Sequence, residues 1–432
     1  MVFPLPDGLQ SEIALVIYSH FFPQDFAMLS MKNFSRARVA LRSVLRETHL
    51  VYSQYFSGLT GNKVYLKPEN MQVTGSYKIR GAYFKIFNMS EEQREKGIIT
   101  SSAGNHAQGV AYAAKMAKAR ATIVMPTTTP LVKINNTKRF GAEVVLHGGY
   151  YDEAYRHALE IAERDGFEFV HPFNDLTVAA GQGTIAYEIF QDLPDADILL
   201  VPIGGGGLAA GVSTLAKLLN PDIRVYGVEP RGAACMHASI QNNQVTSLQS
   251  VETIADGVAV QTPGDLVFPL VRENVDDILL VDDTDIPNAF LDMLESHRMV
   301  VENAGLLTIA ALRQLESQGK KVVAVLSGGN MDIITMSSLV QHGLRNRGRI
   351  FSFSVLLPDR PGELLKIAAI IADLRGNVIK LEHNQFVNIN RNAAVELQVT
   401  LEAFGHDHKE EILNALKDGG YVPRSCGVTC VY

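Results

Sequence analysis

From about residue 64 to 330, short β-branched and aliphatic runs alternate with longer stretches whose apolar residues recur at helical spacing. The runs at 64–67, 97–100, 121–125, 143–146, 198–202, 225–228, 278–281 and 322–326 predict strands. The stretches at 106–117, 152–164, 208–219 and 286–298 predict amphipathic helices. Continuously apolar strands separated by helices imply parallel sheet covered on both faces, an α/β architecture. So many strands exceed one compact doubly wound lobe, so two lobes with a cleft between them are expected over residues 28–342, the smaller at about 71–160. The pattern changes at 343–350, a short basic stretch with two glycines that reads as a linker. Beyond it, 351–357 alternates like a half-buried strand and 361–374 reads as a helix. Strands at 378–384 and 393–400, a helix at 408–417 and a last strand near Tyr421 complete a ferredoxin-like βαββαβ module within 351–432.

Composition narrows the function classes. The chain has 432 residues, 47% of them hydrophobic, enough for two or three domains with sizeable cores. Lys plus Arg number 39 and Asp plus Glu 46, a net charge of −7. That sign argues against nonspecific binding to nucleic acid or to an anionic membrane surface. No uncharged apolar run approaches the ~18 residues of a membrane-spanning helix. Cys235, Cys426 and Cys430 cannot form a disulfide framework, which fits a cytoplasmic protein. The apolar stretch 13–18 has no basic leader and no small-residue cleavage site after it, so residues 1–27 read as an extension outside the fold.

Four segments carry candidate chemistry. In Thr74-Gly75-Ser76-Tyr77-Lys78-Ile79-Arg80-Gly81-Ala82, a lysine stands among small residues where a helix should begin, with Ser76 near its N-cap. A helix N-terminus disfavours an ammonium, so Lys78 is a candidate for a lowered pKa and imine chemistry; a solvated first-turn lysine is the plainer reading. In Ser101-Ser102-Ala103-Gly104-Asn105-His106-Ala107-Gln108-Gly109, backbone amides and hydroxyls at a strand-to-helix turn suit a carboxylate, or simply cap the helix. Ile203-Gly204-Gly205-Gly206-Gly207-Leu208 follows a strand and lets several amides converge on a phosphate. Gly204-x-Gly206-x-x-Ala209, with Glu229 ending the next strand, also satisfies the dinucleotide fingerprint, so an NAD-dependent dehydrogenase competes at this point. The fourth segment, Leu326-Ser327-Gly328-Gly329-Asn330, is an ordinary strand-end turn when taken alone.

In this order and spacing, the four segments resemble the fold type II family of pyridoxal-phosphate enzymes (the tryptophan synthase β-like fold), and within it the threonine ammonia-lyases. The resemblance covers roughly residues 34–340. It implies pyridoxal 5'-phosphate as cofactor, Lys78 as its Schiff-base lysine, Asn105 at its phenolic oxygen and Ser327 at its pyridine nitrogen. Gly204, Gly205, Gly206, Gly207 and Leu208 would bind the phosphate. Catalysis would rest on Lys78 and Ser327, and Ser102, Asn105 and the amides around Ala107 would grip the substrate carboxylate. The implied reaction converts L-threonine to 2-oxobutanoate and ammonia, with L-serine as a side substrate. Serine dehydratase or serine racemase is the alternative within the family. Racemases that it resembles have a serine where this chain has Ala103, and a methyl group transfers no proton. Tyr77 stands where the family more often shows Phe.

Residues 351–423 resemble an ACT regulatory domain through Leu357-Pro358-Asp359-Arg360-Pro361-Gly362-Glu363-Leu364 and Gly376-Asn377-Val378. That resemblance implies an effector site at Asp359, Arg360, Pro361, Gly362 and Glu363, with a branched-chain amino acid as ligand because threonine deamination feeds isoleucine biosynthesis. It also implies a homo-oligomer, a dimer or tetramer. No metal site is expected. His406-Asp407-His408 reads as a polar cap, Cys426-x-x-x-Cys430 lacks histidine partners, and Cys235 falls where the cation site of serine racemases, suggested by Glu229 and Ala233, needs a carboxylate.

Overall fold

The computed structural model describes residues 29–384 and 395–426; the extension expected over 1–27 and Cys430 lie outside them. The described residues form two compact units. One runs to Ala289 and takes in Ser296–Asp332, and the other comprises Phe290–Glu295 and the chain from Ile333.

The first unit contains two sheets. The larger has six strands in the order Val51–Ser53, Lys63–Lys67, Lys321–Val325, Ile198–Pro202, Arg224–Pro230 and Asp277–Val281. All neighbours are parallel except the first pair. The smaller sheet orders Glu143–Leu146, Ala121–Met125, Ile98–Ser101 and Glu168–Phe169, all parallel. Central strands are buried on both faces: every residue of Ile198–Pro202 and of Ala121–Met125 is buried. That is why they read as unbroken apolar runs rather than alternating ones.

Helices expected at 106–117, 152–164 and 208–219 span Asn105–Met116, Tyr151–Asp165 and Gly207–Leu219. The sequence reading did not place Leu176–Asp192, which runs through the core with buried residues on all sides. Its small residues admit a close neighbour. A Cβ on Gly211 of Gly207–Leu219 would overlap the carbonyl oxygen of Ala179, and one on Gly183 would lie 2.6 Å from the carbonyl of Gly211. Backbone approach of this kind replaces an apolar stripe, so the usual amphipathic signal is missing. Asp175 caps the helix, its carboxylate accepting from Thr177 N at 2.7 Å and Val178 N at 3.0 Å.

A buried ionic cluster ties this helix to the one that starts at Lys78. All five Arg80 N–H donors are used: Nε and Nη2 reach Glu69 at 2.8 Å each, Nη1 and Nη2 reach Glu188 at 2.6 and 2.8 Å, and Nη1 also meets Thr184 Oγ1 at 3.1 Å. Lys67, fully buried at the end of its strand, donates to Glu188 and to Thr48. Two buried cations thus balance two carboxylates, of which Glu69 is fully buried and Glu188 is partly exposed. Such a cluster fixes geometry more surely than it adds stability.

The second unit is the βαββαβ module. Its antiparallel sheet orders Asn377–Asn384, Val395–Glu402, Ile350–Leu357 and Arg424–Cys426. The helices Glu363–Asp373 and His406–Asp418 bury Ile367, Ile371, Ile412 and Leu416 against Phe353, Val355, Leu397 and Val399. The stretch read as a linker is shorter than expected. The helix Ile333–Asn346 takes in 343–346, and two of the basic residues of the stretch, Arg347 and Arg349, are paired. Arg347 holds Asp292 at 2.7 Å and Glu295 at 3.0 Å, and Arg349 holds Glu295 at 2.5 Å. His406 Nε2 and His408 Nε2 lie 2.9 and 2.6 Å from the carbonyls of Asn346 and Leu374, so both rings are held by backbone.

The close helix crossing predicts that Gly211→Val destabilises the protein by about 3 kcal/mol, because a backbone carbonyl cannot yield to a side chain. Urea unfolding followed by circular dichroism should show a lower midpoint; an unchanged midpoint would contradict the packing described.

Candidate active site

Lys78 is the first residue of the helix Lys78–Phe87, and Tyr77 occupies the N-cap without a side-chain cap bond. Ser76, expected near that cap, directly precedes it and forms an antiparallel bridge with Gly328. Around it, Tyr77 N donates to Ser327 O at 3.1 Å and Gly329 N to Gly75 O at 2.9 Å. Asn330 Nδ2 donates to Thr74 O at 2.7 Å. Gly75 takes a φ of +71°, where a side chain would also run into Asn330. The first and fourth segments are therefore one structural piece, with Lys78 and Ser327 brought to the same cleft.

Inside that cleft, the Lys78 amine donates to Pro172 O at 2.8 Å. Burial lowers its pKa from 10.5 to about 8, against an opposing pull from Glu302. An amine with that pKa is available in its nucleophilic form near neutrality, as imine chemistry requires.

The second segment turns from Ile98–Ser101 into Asn105–Met116 with Gly104 at the N-cap. Gly104 N donates to Ser102 Oγ at 3.2 Å, and the first bond along the helix is Gln108 N to Gly104 O at 3.4 Å. The amides of Asn105, His106 and Ala107 are thus left for a ligand at the helix start. The Ala107 methyl itself packs into the core of the smaller lobe, so only its backbone can serve a substrate. Asn105 Nδ2 donates to Glu302 Oε1 at 2.7 Å while its Oδ1 accepts from Asn330 Nδ2 at 2.8 Å. His106 Nε2 pairs with Val170 O at 2.9 Å, and burial lowers its pKa to about 3, so it is a packed neutral ring.

The glycine run fits a phosphate. Gly206 caps the helix Gly207–Leu219 with a φ of +101°. A Cβ on Gly205 would overlap the ring of Phe173, one on Gly207 would lie 2.7 Å from Phe173 O, and one on Gly204 would lie 2.9 Å from Val258 Cα. No other residue type leaves the loop's amides open to an anion there. The dinucleotide alternative fails on its acid: Glu229 is buried, with its two oxygens accepting from Met236 N at 2.9 Å and His237 N at 2.8 Å. Both of its oxygens are thereby engaged by backbone amides, and Glu229 does not line the cleft.

Lys78, Ser102, Asn105, residues 204–208 and Ser327 all line one cavity of about 1030 Å³, at the upper end of the range for a small-molecule site. Glu302, His171 and Phe173 line it too, and the sequence reading gave them no role. Glu302 is the N-cap residue of a helix, Asn303–Ala311, that is buried throughout, and burial pushes its pKa up to about 8. A lone acid inside the apolar stretch around 301–312 was the available signal. The effector candidates Asp359, Arg360, Pro361 and Gly362 lie at an exposed turn of the second unit, and Glu363, half-buried, begins the helix after it. Gly362 has a φ of +95° there, and Glu363 is held by Lys366 at 2.7 Å and Tyr421 at 3.4 Å.

A covalent-type lysine facing a glycine phosphate loop defines a class, and the chain belongs to it: the model of the pyridoxal-phosphate dependent enzyme family matches residues 41–328. Its cofactor is pyridoxal phosphate. The chain is 44% identical over 401 residues to an L-threonine ammonia-lyase of Thermotoga maritima, covering 93% of this chain and all of that one. Among solved structures, it is similar to the processed form of threonine deaminase isoform 2 from Solanum lycopersicum. That match has 39% identity and a TM-score of 0.70, covering 72% of this chain and 87% of that one. It is also similar to maize serine racemase, with 34% identity and a TM-score of 0.70 over 74% of this chain and 99% of the other.

Because the Lys78 amine must be neutral to react, the rate at which the apo-protein takes up pyridoxal phosphate should rise with pH through about 8. Stopped-flow absorbance measures it. A midpoint near the ordinary lysine value would contradict the buried setting.

Proposed function

We propose that this chain is an L-threonine ammonia-lyase, converting L-threonine to 2-oxobutanoate and ammonia, with L-serine giving pyruvate as a side reaction. The observation that carries the reading is the Lys78 amine, its pKa lowered by burial to about 8, in the cleft that also contains residues 204–208 and Ser327. The bound cofactor supplies the sink for the electrons of the α-carbon. The chain's own residues do the rest. The amides of Asn105, His106 and Ala107 with Ser102 bind the substrate carboxylate, and Asn105 and Ser327 orient the cofactor ring through its phenolic oxygen and pyridine nitrogen. Lys78 removes the α-proton as general base, a role suited to a pKa near the working pH. Water lost from the β-carbon is balanced by the water that later releases ammonia. Ser327 is neutral, so it leaves the pyridine nitrogen unprotonated and favours β-elimination over transamination.

Serine racemase is the second reading, favoured by the maize structure's likeness over the catalytic part. Ala103 lines the cleft and offers no proton to the face opposite Lys78. The second unit adds regulation by isoleucine or valine at Asp359–Arg360–Pro361–Gly362–Glu363, which acts only if the ligand binds two states of the protein unequally. A homo-oligomer, dimer or tetramer, supplies those states. Asn377–Asn384 supports it, being an exposed strand at the edge of its sheet. The free thiols of Cys235 and Cys426 support a cytoplasmic setting.

Lys78→Ala should retain the fold by circular dichroism and lose 2-oxobutanoate formation by at least about a thousandfold. Wild-type turnover in that variant would refute the assignment. Incubated with L-serine, the wild-type protein should yield pyruvate with little D-serine by chiral chromatography; comparable yields would favour the racemase.

Steady-state kinetics of the full chain should respond to isoleucine or valine, and Asp359→Ala should blunt that response while leaving basal turnover unchanged. A full chain indifferent to both amino acids would end the effector assignment.

A further inference from the structure

We infer that His171 donates a hydrogen bond from Nε2 to an oxygen of the bound amino-acid substrate; this rests on the reading of the Lys78 cleft as the active site. The imidazole stands just before Pro172, whose carbonyl receives the Lys78 amine at 2.8 Å. Its Nδ1 accepts from two backbone amides, Phe173 N at 3.2 Å and Asn174 N at 2.8 Å. A ring nitrogen that accepts cannot carry a proton, so the hydrogen of the neutral ring sits on Nε2.

The turn that imposes this tautomer is itself fixed. Asn174 Nδ2 donates to Asp265 at 2.7 Å and Asn174 Oδ1 accepts from Leu266 N at 3.0 Å. Phe173 meets the imidazole edge-on at 4.7 Å and 89°, and Tyr155 approaches it at 6.2 Å. On the far side, Nε2 meets no acceptor among the described residues, and the ring lines the same cavity as Lys78, Ser102 and Asn105. A donor set rigidly against a ligand cavity is a recognition group.

The charges around it keep the ring neutral. Burial and the Lys78 cation lower its pKa to about 4, outweighing the carboxylates of Asp175 and Asp265. A neutral imidazole with this proton fixed on Nε2 is a poor acid, so the group binds and orients rather than transferring a proton. The acceptor is an anionic or hydroxyl oxygen, which an amino acid such as threonine offers as its carboxylate or its β-hydroxyl.

His171→Asn isolates the donor: the shorter amide keeps an oxygen where Nδ1 accepts from the turn but has nothing at the Nε2 position. His171→Gln is the complement, placing an N–H near Nε2. In the holoenzyme, His171→Asn should keep wild-type cofactor absorbance and cofactor affinity. It should raise KM for threonine about tenfold, with partial recovery in His171→Gln. Titration with 2-aminobutyrate, which has the carboxylate but no hydroxyl, identifies the acceptor. A weakened dissociation constant marks the carboxylate, and an unchanged one together with the threonine effect marks the hydroxyl. Unchanged binding of both amino acids in His171→Asn would overturn the inference, as would loss of cofactor binding in both variants, which marks a purely structural residue. Failure of the underlying reading looks different, because Lys78→Ala would then keep its turnover.

Discussion

An amine held out of water at the start of a helix is the constraint on which the first unit depends. Burial and the helix dipole both disfavour an ammonium there, so the Lys78 pKa falls to about 8. A reactive group also needs its helix held in place. Arg80, two residues on, supplies the anchor by spending every donor on Glu69, Glu188 and Thr184. Two residues on one short helix thus divide the tasks, one kept reactive and the other saturated. Tyr77 N and the Ser76–Gly328 bridge then fasten the helix start to the turn that carries Ser327.

The rest of the cleft follows the same electrostatic economy. Burial raises Glu302 to about 8, while it lowers His106 to about 3 and His171 to about 4. Near neutral pH both imidazoles are uncharged, and the Glu302 carboxyl stands close to its midpoint. Negative groups of a substrate or cofactor therefore meet backbone amides at two helix starts, after Gly104 and Gly206, rather than fixed cations. Charge that develops during reaction is met by dipoles already in place.

Much of this was legible in the sequence because the central strands are apolar on both faces and end in glycine- or serine-rich turns. Ala121–Met125 and Ile198–Pro202 occur where the pattern put them. Leu176–Asp192 was not legible, since its neighbours approach through small residues and leave no polar face. The short strands Val51–Ser53 and Glu168–Phe169 exist through their pairing with distant partners, which local pattern does not report. Among site residues, Lys78, Asn105, Ser327 and the glycine run announced themselves as segments of unusual composition. Glu302 and His171 did not, because each matters through contacts made far along the chain: Glu302 with Asn105, and His171 with the turn that Asp265 holds. The basic stretch 343–350 read as a linker because Asp292 and Glu295, the counter-charges of Arg347 and Arg349, lie about fifty residues earlier.

The central claim is that this one buried lysine carries the cofactor. Borohydride reduction of the full chain in the presence of pyridoxal phosphate, followed by proteolysis and peptide mass spectrometry, tests it at the level of a single atom. The added cofactor mass should appear on the peptide containing Lys78, in a ratio approaching one per chain. Substantial labelling of any other lysine, with Lys78 unmodified, would contradict the account.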